Sequence, residues 1–334
     1  MSIMTTSYAG ASAHYLSPRR RDPVKRHWEE PVNHRILARA LGFVEGDPVR
    51  VVDVGSGTGD GLALLEAITD RPLDYLGLDP DPEMITTAGA THEGRDGVRF
   101  LQADVRDDLD LAPDLWLSAG APWSHLDHHD FRTTLVRLLR AAARRDRPTA
   151  LVVDTLGRWS MEWPAHWDDE RWDYRMSFFQ GAGDDPVAAP MSTHTRWTID
   201  AAVLEADVPL AALEFHDRSI TVGRHTSTAA FHPGLTDYRG LVNALHDGDT
   251  GPDLADLRLD PPSGPAPREV ESFFAAFAAL WNARLDRATE QEAALGSDPS
   301  RRRVLAADLC ALEHGAAPGL GVGHSLIALI VVAP

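Results

Sequence analysis

The feature that most constrains this chain is the run Val49–Val54, rich in β-branched residues, which passes through Gly55-Ser56-Gly57-Thr58-Gly59 into an apolar helical segment at 62–68. A strand that turns on glycines into a helix must return alongside itself, which builds a parallel sheet covered by helices. The same alternation repeats downstream. Segments 73–78, 98–101, 115–117 and 150–153 read as further strands, and Phe131, Leu135, Leu138 and Leu139 mark one face of a helix between the last two. Segments 214–222 and 326–332 read as two more strands. Ahead of the sheet, Pro31 opens a helix with Val32, Ile36, Leu37, Ala40 and Leu41 on its apolar face, and Gly42 stands where it should be capped.

Between the last two strands the pattern becomes wholly helical. Val270, Phe273, Phe274, Phe277, Trp281 and Leu285 recur on one side of a long helix, and Leu235, Tyr238, Leu241, Val242 and Leu245 make a shorter amphipathic stretch. The Pro-, Asp- and Gly-rich segment 251–267 reads as the loop joining them. The organisation expected is an N-terminal lid and helix (1–44), a ligand-binding core (45–230), a helical insertion (231–315) and a last core strand (316–334). The aromatic stripe of the insertion is explained by core packing, and a homodimer contact is left open.

The formal net charge of −18 makes a nucleic-acid partner improbable, because such a surface repels phosphates. No apolar run is long enough for a membrane span, and residues 1–10 lack the layout of a secretory signal, so a cytoplasmic protein is expected. Cys310 is the single cysteine and the histidines are scattered, so neither a disulfide framework nor a metal site is expected.

The glycine turn offers helix N-terminal N–H donors to a nucleotide-like ligand. A dinucleotide fingerprint would place glycine or alanine where Asp60 stands. Asp53 and Asp60 disfavour a pyrophosphate and favour a ligand carrying a sulfonium and an ammonium. Asp53-Val54-Gly55-Ser56-Gly57-Thr58-Gly59 resembles the first motif of class I S-adenosylmethionine-dependent methyltransferases, and the later segments follow in matching order. The resemblance implies a Rossmann-like, mostly parallel sheet of seven strands with an antiparallel last strand, bearing a helical insertion. It implies S-adenosyl-L-methionine as cofactor, held by Asp53, Gly55, Ser56, Gly57 and Gly59. Asp79, followed by Pro80, would hold the ribose hydroxyls, Asp104 and Val105 the adenine, and Ser118 would lie beneath the methionine portion.

Acceptor residues should lie beyond strands four and five. His125 is a candidate base beside Trp123 as a pocket wall, while Ser124 or Asp127 would cap the next helix. Asp154 is a second candidate, catalytic or bracing. Trp159, Trp163, Trp167 and Trp172 are interleaved with Glu162, Asp168, Asp169 and Glu170. Indole faces with carboxylates suit a cationic acceptor, with Glu162 catalytic and Trp159 and Trp163 binding; the alternative is a surface segment anchored by buried tryptophans. Arg196 would hold an acceptor carboxylate or pair with a nearby acid. Tyr8, Tyr15, Trp28, Glu29 and Glu30 offer a lid over the cofactor. The expected activity is methylation of a small metabolite, favoured at nitrogen of an amine or guanidino group in specialised metabolism. O- or C-methylation of a neutral natural product, a non-catalytic binding protein and an NAD-dependent oxidoreductase are the rivals.

Overall fold

The computed structural model describes residues 16–17, 20–175, 188–227 and 234–334. Tyr8 and Tyr15 lie outside them. Among the described residues nine strands form the sheet, β1 (Val49–Val54), β2 (Leu73–Asp79), β3 (Val98–Gln102), β4 (Leu115–Leu117), β5 (Thr149–Gly157), β6 (Arg171–Arg175), β7 (Ala188–His194), β8 (Leu210–Arg218) and β9 (Ser325–Val332). β3, β2, β1, β4 and β5 lie side by side and parallel. β9 then runs antiparallel to β5 from Thr149↔Val332 to Leu156↔Ser325, and β8 is antiparallel to β9. These seven strands are the Rossmann-like sheet the sequence implied, with an antiparallel strand last in chain order. A hairpin of β6 and β7 is added, joined to the sheet where β7 meets the end of β5 at Leu156↔Thr193 and Gly157↔His194.

Local chemistry explains where the helices start. Helix α1 (Glu30–Leu41) carries Pro31 in its first turn and continues from a π-helical turn, Lys25–Glu29. The helix after the glycine loop, α2 (Asp60–Glu66), begins at Gly59, whose φ is +95°. α3 (Pro82–Thr91) is capped by Asp81, which accepts the Glu83 and Met84 N–H groups. α4 (His128–Ala142) is capped by Asp127; Ser124 is instead buried, its Oγ accepting the Leu156 N–H at 2.8 Å. α5 (Arg196–Ala206) opens with a Thr195–Thr198 capping box.

The described residues pack into three apolar cores. Helices α1 and α2 cover one face of the sheet, and α4 and α5 cover the other. The third core joins the segment after β5 to the helical insertion, made of α6 (Tyr238–Asp247), α7 (Arg268–Leu295) and α8 (Pro299–Ala316). There Phe274, Phe277 and Trp281 share one core with Trp159, Trp163, Trp167 and Trp172, Trp167 stacking on Phe274, so the aromatic stripe is spent on packing within the chain.

Candidate active site

The strand order reverses between β2–β1 and β4–β5, so the carboxyl ends of β1 and β4 frame a crevice of the kind that binds ligands in open α/β sheets. The glycine loop forms its floor. Gly55 has φ +65°, and a Cβ there would lie 2.4 Å from Pro122 Cβ. Gly57 has φ +53° with nothing within 4 Å of where its Cβ would stand, which leaves open space above the loop.

Across the loop, Asp79 ends β2. Its two oxygens accept the N–H groups of Gly57 and Asp81, each at 2.9 Å, which fixes the carboxylate at the crevice. Burial pushes its pKa up against those two bonds. Asp104 lies further along, held by the Arg106 guanidinium at 2.6 Å. Burial alone would raise the Asp104 carboxyl, but that pairing keeps it below the usual carboxylate range. One cavity is lined by Gly55, Ser56, Gly57, Asp79, Pro80, Asp104, Val105, Trp123 and His125 together, and also by Arg20, Asp60, Met84, Arg106 and Arg224. The Ser56 hydroxyl on it is buried without a hydrogen-bond partner. An open glycine cradle, a fixed carboxylate and an unsatisfied hydroxyl suit a ligand with ribose hydroxyls and a cationic end.

The remaining residues expected at the cofactor stand behind this surface. Asp53 is 2% exposed and accepts the Tyr75 hydroxyl; it lies below α2, where a Cβ on Gly61 would come within 2.1 Å of its Oδ2. Burial raises its pKa to about 7, opposed by the Tyr75 bond and helped by Asp60 and Asp79. It therefore braces the loop and does not line the cavity. Gly59 starts α2 against His92, outside the lining. Ser118 lies underneath, its Oγ donating to Val152 O at 2.7 Å and accepting from Asp154 N and Trp123 Nε1.

A second cavity opens beside the first and shares Arg20, Asp60, Ala119, Gly120 and Arg224 with it. Its walls include Lys25, Glu29 and Glu30 from the N-terminal helical segment, Arg218 and Ser219 at the end of β8, and His324 just before β9. Trp28, expected in the lid, is instead buried under the insertion, its Nε1 donating to His246 at 2.9 Å. Glu29 is held by Arg239 and Lys25, and Arg20 reaches across to Asp60.

Several acceptor candidates are placed otherwise than expected. Trp159, Trp163, Trp167 and Trp172 are at most 8% exposed and line neither cavity, while Asp168, Asp169 and Glu170 are exposed. Indole faces already packed inside the third core are closed to a cation, so the segment is anchored by its tryptophans and leaves Asp168, Asp169 and Glu170 in solvent. Arg196 pairs with Glu269 at 3.6 Å and lines neither cavity. Asp154 is fully buried, its Oδ2 accepting from Gly120 N at 2.8 Å and Arg218 Nη2 at 3.0 Å, which is the bracing arrangement. His125 stays on the cofactor side; burial, with Arg171 nearby, lowers its pKa to about 4. Glu162 is buried away from both cavities but touches His324, which is on the second. Sequence reasoning missed Arg20, Arg218, Arg224 and His324. Each sits in a segment without a motif and reaches the crevice only through the fold.

Residues 51–144, spanning most of β1 through α4 and with them most of the first cavity's lining, match the family model described as a methyltransferase domain. The protein is an S-adenosylmethionine-dependent methyltransferase of the class I fold, and S-adenosylmethionine is its cofactor. No curated protein matches the chain. Among solved structures, a chain of the complex between the Haloferax volcanii Trm112 methyltransferase activator and a methyltransferase is similar at 15% identity, covering 98% of this chain and 96% of that one, with a TM-score of 0.44. The amino pentose methyltransferase CalS10 from Micromonospora echinaspora is similar at 20% identity over 67% of this chain and 96% of that one, with a TM-score of 0.40. The sugar N-methyltransferase KedS8 from Streptoalloteichus is similar at 18% identity, covering 62% and 90%, also with a TM-score of 0.40. Likenesses this distant carry no argument about the acceptor. Among the described residues no helix is long and apolar enough to cross a membrane, and no cluster of side chains could hold a metal ion.

Proposed function

We propose that the protein methylates a small zwitterionic metabolite at nitrogen, the acceptor occupying the second cavity and meeting the cofactor at Gly120. One observation carries this reading: the two cavities join along Ala119 and Gly120, at the carboxyl end of β4. The second cavity is lined by both signs of charge, with Glu29, Glu30 and Glu66 against Lys25, Arg218 and Arg224. Glu29 is paired with Lys25 and Arg239, Glu30 with Arg21, Glu66 with Arg95 and Arg218 with Asp154, and an amine or guanidino compound with a carboxylate can join both signs of that pattern where a neutral ring joins neither. The expectation of a cation held between tryptophans is replaced by this charged cleft.

The bound cofactor supplies a methyl group on a positively charged sulfur. The chain's part is mostly placement: Gly55, Ser56 and Gly57 cradle the cofactor, Asp79 takes its ribose hydroxyls, and Asp104 and Val105 face its adenine. Asp154 fixes Gly120 and Arg218 relative to one another, so the junction of the two cavities is rigid.

Release of S-adenosylhomocysteine measured across amino, guanidino and neutral phenolic metabolites tests the assignment. Turnover is expected only with zwitterionic nitrogen acceptors, and Arg224→Gln should raise the acceptor KM roughly tenfold or more, in line with the loss of a charged hydrogen bond. Turnover confined to neutral phenols would sink the nitrogen reading.

A further inference from the structure

Glu162 and His324 form a buried pair of which His324 lines the acceptor cavity and Glu162 stands behind it. The Glu162 oxygens lie 3.0 and 3.1 Å from His324 Nδ1, and Oε2 also accepts the His225 N–H at 3.0 Å. Although burial pushes the Glu162 carboxyl up, the neighbouring His324 and His225 hold it below the usual carboxylate range. An ionised carboxylate only accepts, so Nδ1 of His324 carries a proton toward it and the lone pair falls on Nε2. The pair is built in from both sides. A Cβ on Gly223 would come within 1.1 Å of Glu162 Oε1, so only glycine lets the carboxylate occupy this place. The backbone of His324 is tied at both ends, its N–H donating to Ser219 O at 2.8 Å and its carbonyl accepting from Gly157 N at 3.0 Å.

The position in the fold is the second observation. β9 is antiparallel to β5, so the residue just before it stands beside the carboxyl end of β5, on the ligand side of the sheet. His324 lines the same cavity as Ala119 and Gly120. Other charged or titratable groups near its ring are Tyr174 from β6, whose hydroxyl is 3.5 Å from Nε2, and His225, whose ring centroid is 6.2 Å away. Arg218, Arg224 and Lys25 share the cavity wall with it.

We infer that His324 is the general base for the acceptor and that Glu162 is its positioning residue. The inference rests on the second cavity being the acceptor site. A protonated amine has no lone pair to give. The acceptor's proton passes to Nε2 of His324, the freed lone pair forms the bond to the methyl carbon, and the carbon–sulfur bonding pair stays on sulfur. The proton then leaves His324 to solvent, and Glu162 holds the imidazolium while it exists.

The test has two parts whose failures are separate. Long-range proton–nitrogen NMR correlations on the apo protein read the imidazole tautomer without any acceptor. His324 should be protonated at Nδ1 in the wild type and lose that preference in Glu162→Gln; an Nε2-protonated ring in the wild type overturns the inference. With the best acceptor from the metabolite panel, His324→Asn and His324→Gln should lower kcat on the order of 100-fold. S-adenosylhomocysteine affinity should stay within threefold in both as evidence of folding. A kcat within threefold of wild type overturns the base assignment. If the wild type binds the cofactor yet turns over no member of the panel, the small-acceptor reading falls, and the tautomer alone decides for the pair.

Discussion

Gly57 and Asp53 show how differently two residues of one motif serve a site. Gly57 faces open space with φ +53°, so a side chain there meets no protein atom but points into the cofactor's volume. Gly57→Val should fold at a cost of about 1–2 kcal/mol, the penalty for left-handed backbone, and weaken S-adenosylhomocysteine binding at least tenfold by titration. Unchanged affinity would mean that the cradle lies elsewhere. Asp53 sits behind the loop with a pKa raised by burial to about 7. Because the folded value exceeds the ordinary value of 3.8, the folded chain holds this proton more tightly, and its contribution to stability falls as pH rises from about 4 to 7. Asp53→Asn keeps an acceptor for Tyr75 and removes the titration. Urea unfolding should show wild type losing on the order of 1–3 kcal/mol of stability relative to this variant between about pH 5 and pH 8; a constant difference would disprove it. The motif made both residues visible in the sequence, but only the glycine's role was legible there. An acid before a glycine turn reads the same whether it faces the ligand or the back of the loop.

At the level of elements, β1 to β5 were legible because each holds a short apolar run closed by turn residues, most continuous in β1, β4 and β5, which are buried on both faces, and shorter in β2 and the edge strand β3. β8 lies four residues earlier than its apolar run suggests. Its early part, Leu210 to Leu213, contains no β-branched residue to mark a strand, and its end is set by Ser219, whose φ of +60° breaks the strand before the apolar run stops. The β6–β7 hairpin leaves no such mark, because Trp172 and Tyr174 alternate within a stretch of charges and their strand pairs with the small or polar residues Ser192, Ala189 and Ala188. The same blindness produced the tryptophan reading, since a sequence shows that indoles cluster but not what covers them. Here the third core covers them, with α7 lying against Trp167. Trp167 is 1% exposed, donates to Ser160 O at 2.9 Å and stacks with Phe274 at 6.1 Å. Trp167→Ala should cost about 3–5 kcal/mol and lower Tm by calorimetry. Cofactor affinity below the transition should persist, because the glycine cradle belongs to the other two cores. Equal loss of both would show the insertion and the cradle to be one cooperative unit.

Across the whole molecule, the acceptor cavity draws on distant parts of the chain, from Arg20 to His324, and this separation put it beyond reading from the sequence. The cofactor side is largely local, from Gly55 to Leu126, and that half was legible. β9 is the piece that joins the two. All eight of its residues are buried, and it is inserted between β5 and β8, which do not pair with each other. A chain ending at Gly323 should accumulate in the insoluble fraction, while one extended beyond Pro334 by a flexible tag should stay soluble, as read by fractionation after expression. On the ribosome the consequence is one of timing. Synthesis proceeds from β5 through β8, the insertion and α8 with two sheet edges held apart and unpaired, and open edges invite other strands. Only when Val332 clears the exit tunnel can the gap be filled and His324 be set in place, so both edges stay open to other strands until β9 has been made.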